Sequence, residues 1–309
     1  MNNPHILYSA EKVSAKSRLF KLAQLKNTEL MRGKTVEEHR VFQQRLAEIR
    51  PIPPNISVAE DVVANVHCEW VTREESRMNK VILYIHGGSW AFGDLQTARP
   101  VGVLLAEATN SSVLVADYRL SPEHPYPAGL DDCADVYRQL LRNGISPERL
   151  AVFGDSAGGN LALCLLHQLR EEDTSLPSAV ACASPVTDLS TDSALFRQQP
   201  DLIFTQHNGE ERDIFSLYLD GQSPGDPAVS PILADTAGFP PILIHVGGDE
   251  ALRDDNVAYA NYAVAQGSPV ICKVWSEMFH DFTIAGAALR ESSHSVAEIG
   301  HFFMKHMRQ

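Results

Sequence analysis

The segment that most constrains the fold of this chain is Leu150–Leu166, which reads LAVFGDSAGGNLALCLL. It begins with a short apolar run and ends with a longer one, and a G-x-S-x-G pattern lies between them. This arrangement predicts a strand, a very tight turn and a helix, with Ser156 in a strained conformation at the tip of the turn. Gly154 and Gly158 suit such a turn because a Cβ atom would collide where the strand and the helix nearly touch.

The predicted turn would make Ser156 a nucleophile if a base and an acid lay nearby, because a serine hydroxyl is weak at neutral pH. The amide of Ala157 and the positive end of the helix dipole would favour an oxyanion at the same place. His280 is the candidate base, since it lies in a loop just after the last predicted strand, residues 270–275. Four other histidines fall in a strand run or on the terminal helix pattern: His245, His294, His301 and His306.

The candidate acid follows the apolar run 242–246, in the stretch that reads GGDEALRD. Asp249, Glu250 and Asp254 are all close enough in sequence to be the residue that orients His280. Each of them could equally be a helix cap or a first-turn charge, which are common roles for acidic residues. The residues alone therefore leave the three acids open.

A second set of oxyanion donors is expected in the stretch His86–Gly87–Gly88–Ser89, which follows the apolar run 80–85 directly. Adjacent glycines let the backbone approach a substrate closely and turn its amides inward. The candidate oxyanion residues are therefore Gly87, Gly88, Ser89 and Ala157.

Apolar strand runs alternate with helical patterns from about residue 80 to the carboxyl terminus. This alternation predicts an α/β fold with a mostly parallel, twisted sheet and helices on both faces. Residues 188–225 interrupt the alternation, with a helical pattern near 210–218, and indicate an insertion. Residues 9–50 are polar with helical spacing, and we expect two helices separated by Gly33.

Charge and cysteine content exclude several classes of protein. The formal net charge is −13, and a nucleic-acid surface would need a basic patch that the sequence lacks. The five cysteines are scattered with no C-x-x-C pair, which fits a reducing compartment. The start of the chain resembles no secretory signal and no apolar run is long enough to span a bilayer, so we expect a cytoplasmic protein.

The chain resembles the hormone-sensitive-lipase-like family of α/β-hydrolase esterases. The matching stretches are His86–Trp90 (HGGSW), Asp117–Ala128 (DYRLSPEHPYPA), Gly154–Gly159 (GDSAGG), Asp226–Leu233 (DPAVSPIL) and Glu250–Asp254 (EALRD). The resemblance implies an α/β-hydrolase fold with a helical cap: cap helices in residues 1–50, and a catalytic domain in residues 51–309 with a cap insertion near 188–225.

The resemblance also implies roles for individual residues. Ser156 would be the nucleophile and His280 the base, with oxyanion amides at Gly88, Ser89 and Ala157. Ser89 replaces the usual third glycine, a change that keeps the backbone amide. Position matching makes Glu250 the acid, with Asp249 as the alternative, while Asp155 would help to hold the turn.

The expected activity is that of a serine carboxylesterase acting on short- to medium-chain acyl esters, with no metal or organic cofactor. The alternatives are an amide or N-acetyl deacylase with the same triad and a non-catalytic hydrolase-fold binding protein. Because many members of the family dimerise through an edge strand and a helix, we also expect a homodimer. The natural ester does not follow from the sequence.

Overall fold

The computed structural model describes residues 4–48, 51–74, 77–190, 193, 204–207 and 210–308. The strands are β1 (Ile6–Tyr8), β2 (Ile56–Val63), β3 (Val66–Arg73), β4 (Arg77–Ile85), β5 (Ser111–Ala116), β6 (Leu150–Asp155), β7 (Ala179–Ala183), β8 (Phe204–His207), β9 (Glu210–Asp213), β10 (Ile242–Gly247) and β11 (Val270–Trp275). The helices are α1 (Ala15–Met31), α2 (Val36–Glu48), α3 (Leu95–Thr109), α4 (Ala128–Arg142), α5 (Ser156–Glu171), α6 (Ile214–Leu219), α7 (Arg253–Ala265) and α8 (Arg290–His306). The 3₁₀ segments are Pro147–Arg149, Pro231–Leu233 and Phe282–Ala288.

Within these ranges, nine strands form the main sheet in the order β1-β11-β10-β7-β6-β4-β5-β3-β2. Neighbouring strands run parallel except at β3, which is antiparallel to both β2 and β5. The predicted α/β fold with a mostly parallel sheet is therefore confirmed. The carboxyl ends of β6, β10 and β11 lie on the same edge of the sheet, where side chains from distant parts of the chain can meet.

Helices cover both faces of the sheet, as the continuous apolar strand runs require. Alternate residues of β4 show the division: Ile82 and Tyr84 pack in the core beside α3 and α8, whereas Val81 and Leu83 pack in the core beside α4, α5 and α7. Among the helices in the described ranges, none is both long and apolar enough to cross a lipid bilayer.

Two segments differ from the sequence-based expectation. The helical pattern expected near 210–218 is wrong at its start, because Glu210–Asp213 pairs with β8 as a strand and the helix begins at Ile214. The Asp213 side chain accepts a hydrogen bond from the Ser216 amide and so caps the helix there. At the other end of the chain, Ile6–Tyr8 adds a parallel strand beside β11, which three residues are too few to reveal by pattern.

The N-terminal helices lie over the carboxyl edge of the sheet. Arg40 on α2 donates to the Ala91 carbonyl at 2.8 Å and forms two 2.7 Å contacts with Glu123, which join α2 to the loop after β4 and to the loop after β5. The division into cap and catalytic domain stays a prediction. Part of the expected insertion at 188–225, namely 191–192, 194–203 and 208–209, lies outside the described residues.

Candidate active site

The turn between β6 and α5 has the tight geometry that the G-x-S-x-G pattern predicts. Ser156 has a positive φ of 50°, a strained conformation for a residue with a side chain. A Cβ atom at Gly154 would overlap the backbone of Gly158, and one at Gly158 would overlap the carbonyl oxygens of Ile85 and His86. Glycine is therefore required at both positions, and Ser156 is held at the end of the strand.

The imidazole of His280 reaches the Ser156 hydroxyl, with 3.0 Å between Nε2 and Oγ. Two backbone hydrogen bonds join the loop that carries His280 to the loop after β10. They run from the Gly248 amide to the Trp275 carbonyl at 2.7 Å, and from the Asp249 amide to the Met278 carbonyl at 2.9 Å. These bonds fix the distance between the loop of the base and the loop of the candidate acids.

Glu250 lies on the other side of the imidazole. Its Oε2 is 3.5 Å from Nδ1 of His280, too far for a formed hydrogen bond, and its side chain is only 2% exposed. The same oxygen accepts a 2.8 Å hydrogen bond from the Ser184 hydroxyl. Contacts between a base and its orienting acid are often long in unliganded enzymes and shorten when substrate binds.

The other two candidate acids face away from the histidine. Asp249 forms a 2.6 Å ion pair with Lys21 on α1, and the Asp249 side chain is 44% exposed. Asp254 pairs with its neighbour Arg253 at the surface. The structure thus brings Glu250, and neither Asp249 nor Asp254, to His280.

The loop after β4 places candidate oxyanion donors beside Ser156. Gly88 and Ser89 both have positive φ values, 120° and 54°, and Ser89 and Ala157 line the same cavity as Ser156. Gly87 is placed differently, because it packs so closely against Asp155 that a Cβ atom at Gly87 would overlap the Asp155 carboxylate.

Asp155 links the turn at Ser156 to the loop after β4. The Tyr84 hydroxyl donates a 2.8 Å hydrogen bond to its Oδ1. Burial raises the pKa of Asp155 to about 6, although the hydrogen bond from Tyr84 and the nearby Gly87 amide favour the charged form. Asp155 thus holds two strands of the site together, as its position in the turn suggested.

We expect Tyr84→Phe to lower the free energy of unfolding by about 1–3 kcal/mol, because it leaves an oxygen of the buried Asp155 carboxylate without its donor. Urea denaturation above the pKa of Asp155 measures this loss. Tyr262→Phe, at a more exposed tyrosine on α7, is the matched control and should change little. Equal stabilities for the two variants would contradict the role given to the Tyr84 hydroxyl.

A cavity of about 210 Å³ opens above Ser156. Most of its wall is apolar, and the polar side chains of Lys21, Gln24 and Thr28 on α1 also border it. The apolar wall is made by Trp90, Val186, Ile214, Phe215, Leu252 and Phe279. Such a cavity suits a small apolar group held next to the serine hydroxyl.

Three carboxylates surround His280 and set its charge. Burial opposes a positive charge on the imidazole, but Asp281, Glu250 and Asp155 together outweigh it and raise the pKa of His280 to about 9. Sequence reasoning missed Asp281. Its only signal was its place next to the base, and the direction of its side chain depends on a positive φ of 57° that no pattern predicts.

The comparisons with known proteins identify the fold and the family of the chain. A family model of the α/β hydrolase fold matches residues 82–284. An acetyl-hydrolase of Streptomyces hygroscopicus is 36% identical over 276 residues, which cover 88% of this chain and 90% of the relative. An esterase of Acinetobacter venetianus is 34% identical over 265 residues, 85% of this chain and 87% of the relative.

A crystal structure of an esterase from the bacterial hormone-sensitive lipase family is also similar. Its TM-score is 0.87 at 32% identity, over 96% of this chain and 100% of that chain. The sequence-based recognition is confirmed. The chain belongs to the α/β-hydrolase-fold family and, within it, to the hormone-sensitive-lipase-like branch.

Proposed function

We propose that this protein is a serine carboxylesterase that hydrolyses short- to medium-chain acyl esters. The observation that carries the proposal is the 3.0 Å contact between Ser156 Oγ and His280 Nε2 at the base of an apolar cavity. Glu250 on the opposite nitrogen of the imidazole completes the arrangement of nucleophile, base and acid. The relatives named esterase and acetyl-hydrolase support the same reaction class.

In the proposed mechanism, Ser156 Oγ attacks the ester carbonyl while His280 Nε2 takes its proton. Glu250 orients the imidazole and stabilises the imidazolium that forms. His280 then gives the proton to the departing alkoxide, which leaves as an alcohol. The acyl group stays bound to Ser156 as an acyl-enzyme. Water, deprotonated by His280, attacks the acyl-enzyme and releases the acid and the free serine.

The amides of Gly88, Ser89 and Ala157 are the proposed donors to the tetrahedral oxyanion. Donors of this kind act where charge develops, and the loss of one typically costs about 3–4 kcal/mol of transition-state stabilisation. Gly87 was also a candidate from sequence. Because Gly87 packs directly against the Asp155 carboxylate, we assign it the role of shaping the loop instead.

A hydrolysis series of p-nitrophenyl esters, from acetate to a long acyl chain, tests the proposed specificity. We expect kcat/KM to be highest for short to medium chains and to fall for long ones, because the cavity above Ser156 holds only about 210 Å³. The highest kcat/KM on a long chain would contradict the proposed acyl range. An absence of hydrolysis on every ester by folded protein would contradict the esterase itself.

Removal of an acetyl group from an amine is the second candidate, since one relative is named an acetyl-hydrolase, a name that fits cleavage of an acetate ester and of an acetamide alike. The same three side chains would act, with His280 giving its proton to a departing amine. Turnover of an N-acetyl substrate at a higher kcat/KM than the matched acetate ester would favour this candidate.

We further propose a cytoplasmic homodimer. The five cysteines are buried and unpaired, as a reducing compartment would leave them. The exposed edge of the short strand β1 is a candidate for the edge-strand contact of the dimer. Gel filtration with light scattering measures the oligomeric state. A monomer at every protein concentration would contradict the proposed dimer.

A further inference from the structure

A second carboxylate contacts the base at the nitrogen that faces the nucleophile. Oδ2 of Asp281 is 3.3 Å from Nε2 of His280, the atom that also contacts Ser156 Oγ. Glu250, by contrast, approaches Nδ1. The imidazole therefore lies between two acids, and Nε2 has two oxygen neighbours with different chemistry.

The backbone of Asp281 holds this carboxylate in place. Its φ of 57° is left-handed, and its amide donates a 3.3 Å hydrogen bond to the Ser184 hydroxyl. That hydroxyl in turn donates to Glu250. The two acids that flank His280 are thus joined through one serine.

The Asp281 side chain makes no hydrogen bond that would cap the 3₁₀ segment after it. Its Oδ1 is buried and has no hydrogen-bond partner among the residues that the structure describes. An unpaired buried oxygen is costly, and a left-handed backbone costs more for aspartate than for glycine. The Asp281 carboxylate has both costs, and its other oxygen contacts the base. This combination points to a role in the reaction.

We infer that Asp281 is a positioning residue that holds the proton on Nε2 of His280 and thereby moves the active pH range of the enzyme upward. The negative charge of Asp281, with Oδ2 3.3 Å from Nε2, stabilises the proton on that nitrogen, so Nε2 can accept the Ser156 proton only after that bound proton has left. The inference rests on the proposed function, because it concerns His280 as the base.

The charged groups around His280 fix the direction of the effect. Asp281 on its own loop, Glu250 after β10 and Asp155 at the end of β6 all favour the imidazolium, and the charge of Asp281 favours it more than the charge of either other carboxylate. Lys21 of α1 opposes it, but this ammonium is paired with Asp249. The removal of the Asp281 charge should therefore lower the pKa of His280 and make the neutral base available at lower pH.

Asp281 and His280 titrate as a pair. Burial and the nearby carboxylates of Asp155 and Glu250 raise the pKa of Asp281 well above its usual range, while the charge on His280 acts in the opposite direction. The acid limb of a pH–rate profile therefore reports a property of the pair rather than of one residue.

The test compares wild type with Asp281→Asn and Asp281→Gly. Asparagine keeps the size of the side chain and tolerates the left-handed backbone, and glycine removes the backbone strain, so both variants should fold. In the pH profile of kcat/KM for p-nitrophenyl butyrate, we expect the acid limb of both variants to move down by about one pH unit or more. The plateau value of kcat/KM at high pH should change little, whereas the acid limb should shift clearly.

Glu277→Gln is the matched control. Glu277 lies in the same loop, also has a φ of 57°, and carries an exposed carboxylate that pairs with Arg18 instead of His280. Its profile should coincide with that of wild type. If the acid limb of Glu277→Gln moved as far as that of the Asp281 variants, the net charge of the loop, and not the contact at Nε2, would set the pH of the acid limb.

A second readout is independent of turnover. ¹⁵N NMR titration of the His280 imidazole, assigned by the signal that His280→Asn removes, should give a lower pKa in Asp281→Asn than in wild type. An unchanged His280 pKa, or a uniform loss of activity without a shift of the limb, would overturn the inference. If wild type hydrolyses no ester, the proposed function fails while the NMR comparison still decides the effect of Asp281.

Discussion

Replacement of Ser156 by alanine should reduce kcat for ester hydrolysis by about 10⁴–10⁶-fold while the protein stays folded, since loss of a nucleophile removes the whole covalent path. The substitution removes only the Ser156 hydroxyl. The smaller alanine side chain fits the same buried place, where the serine is 8% exposed. Initial rates on p-nitrophenyl butyrate, with near-ultraviolet circular dichroism as the check of folding, measure the effect.

Ser293→Ala on α8 is the control for this change, because it removes a serine hydroxyl whose hydrogen bond stays within the helix terminus. We expect wild-type rates from it. Residual hydrolysis by Ser156→Ala within tenfold of wild type would mean that another group attacks the ester, and would remove the basis of the mechanism.

Replacement of Glu250 by glutamine should have the second largest effect, a loss in kcat of about 10²–10⁴-fold. Glutamine keeps the size of the side chain but cannot stabilise the imidazolium with a charge. It also presents an amide group that can favour the wrong tautomer of His280. The same kinetic assay measures this loss.

Asp249→Asn is the matched comparison for Glu250→Gln, because both residues lie in one loop and line the same cavity. Asp249 is held by Lys21 and does not contact His280, so kcat should change at most severalfold and any effect should fall on KM. A large loss in Asp249→Asn beside near-normal turnover in Glu250→Gln would reverse the assignment of the acid.

The strand-turn-helix at Ser156 could be predicted from sequence because close backbone contact allows only glycine at Gly154 and Gly158. The approach of His280, 124 residues further along the chain, followed from the fold class. In a parallel sheet, loops at the carboxyl ends of neighbouring strands meet at one edge.

The choice among the acids could not be made from the residues. Asp249 and Glu250 are adjacent, and which of them faces the base depends on hydrogen bonds between two loops, such as that from the Gly248 amide to the Trp275 carbonyl. Asp281 escaped notice for a similar reason, since only its left-handed backbone directs the carboxylate back to Nε2. Loop geometry of this kind arises from tertiary contacts and leaves no periodic signal.

Covalent labelling tests the central claim, that Ser156 is a nucleophile activated by His280, most directly. The protein is treated with a fluorophosphonate, and peptide mass spectrometry locates the adduct in wild type and in His280→Asn. We predict one adduct, on Ser156, formed in wild type and at least about a hundredfold more slowly without the base. No adduct on folded wild type, or an adduct on a different residue, would contradict the claim.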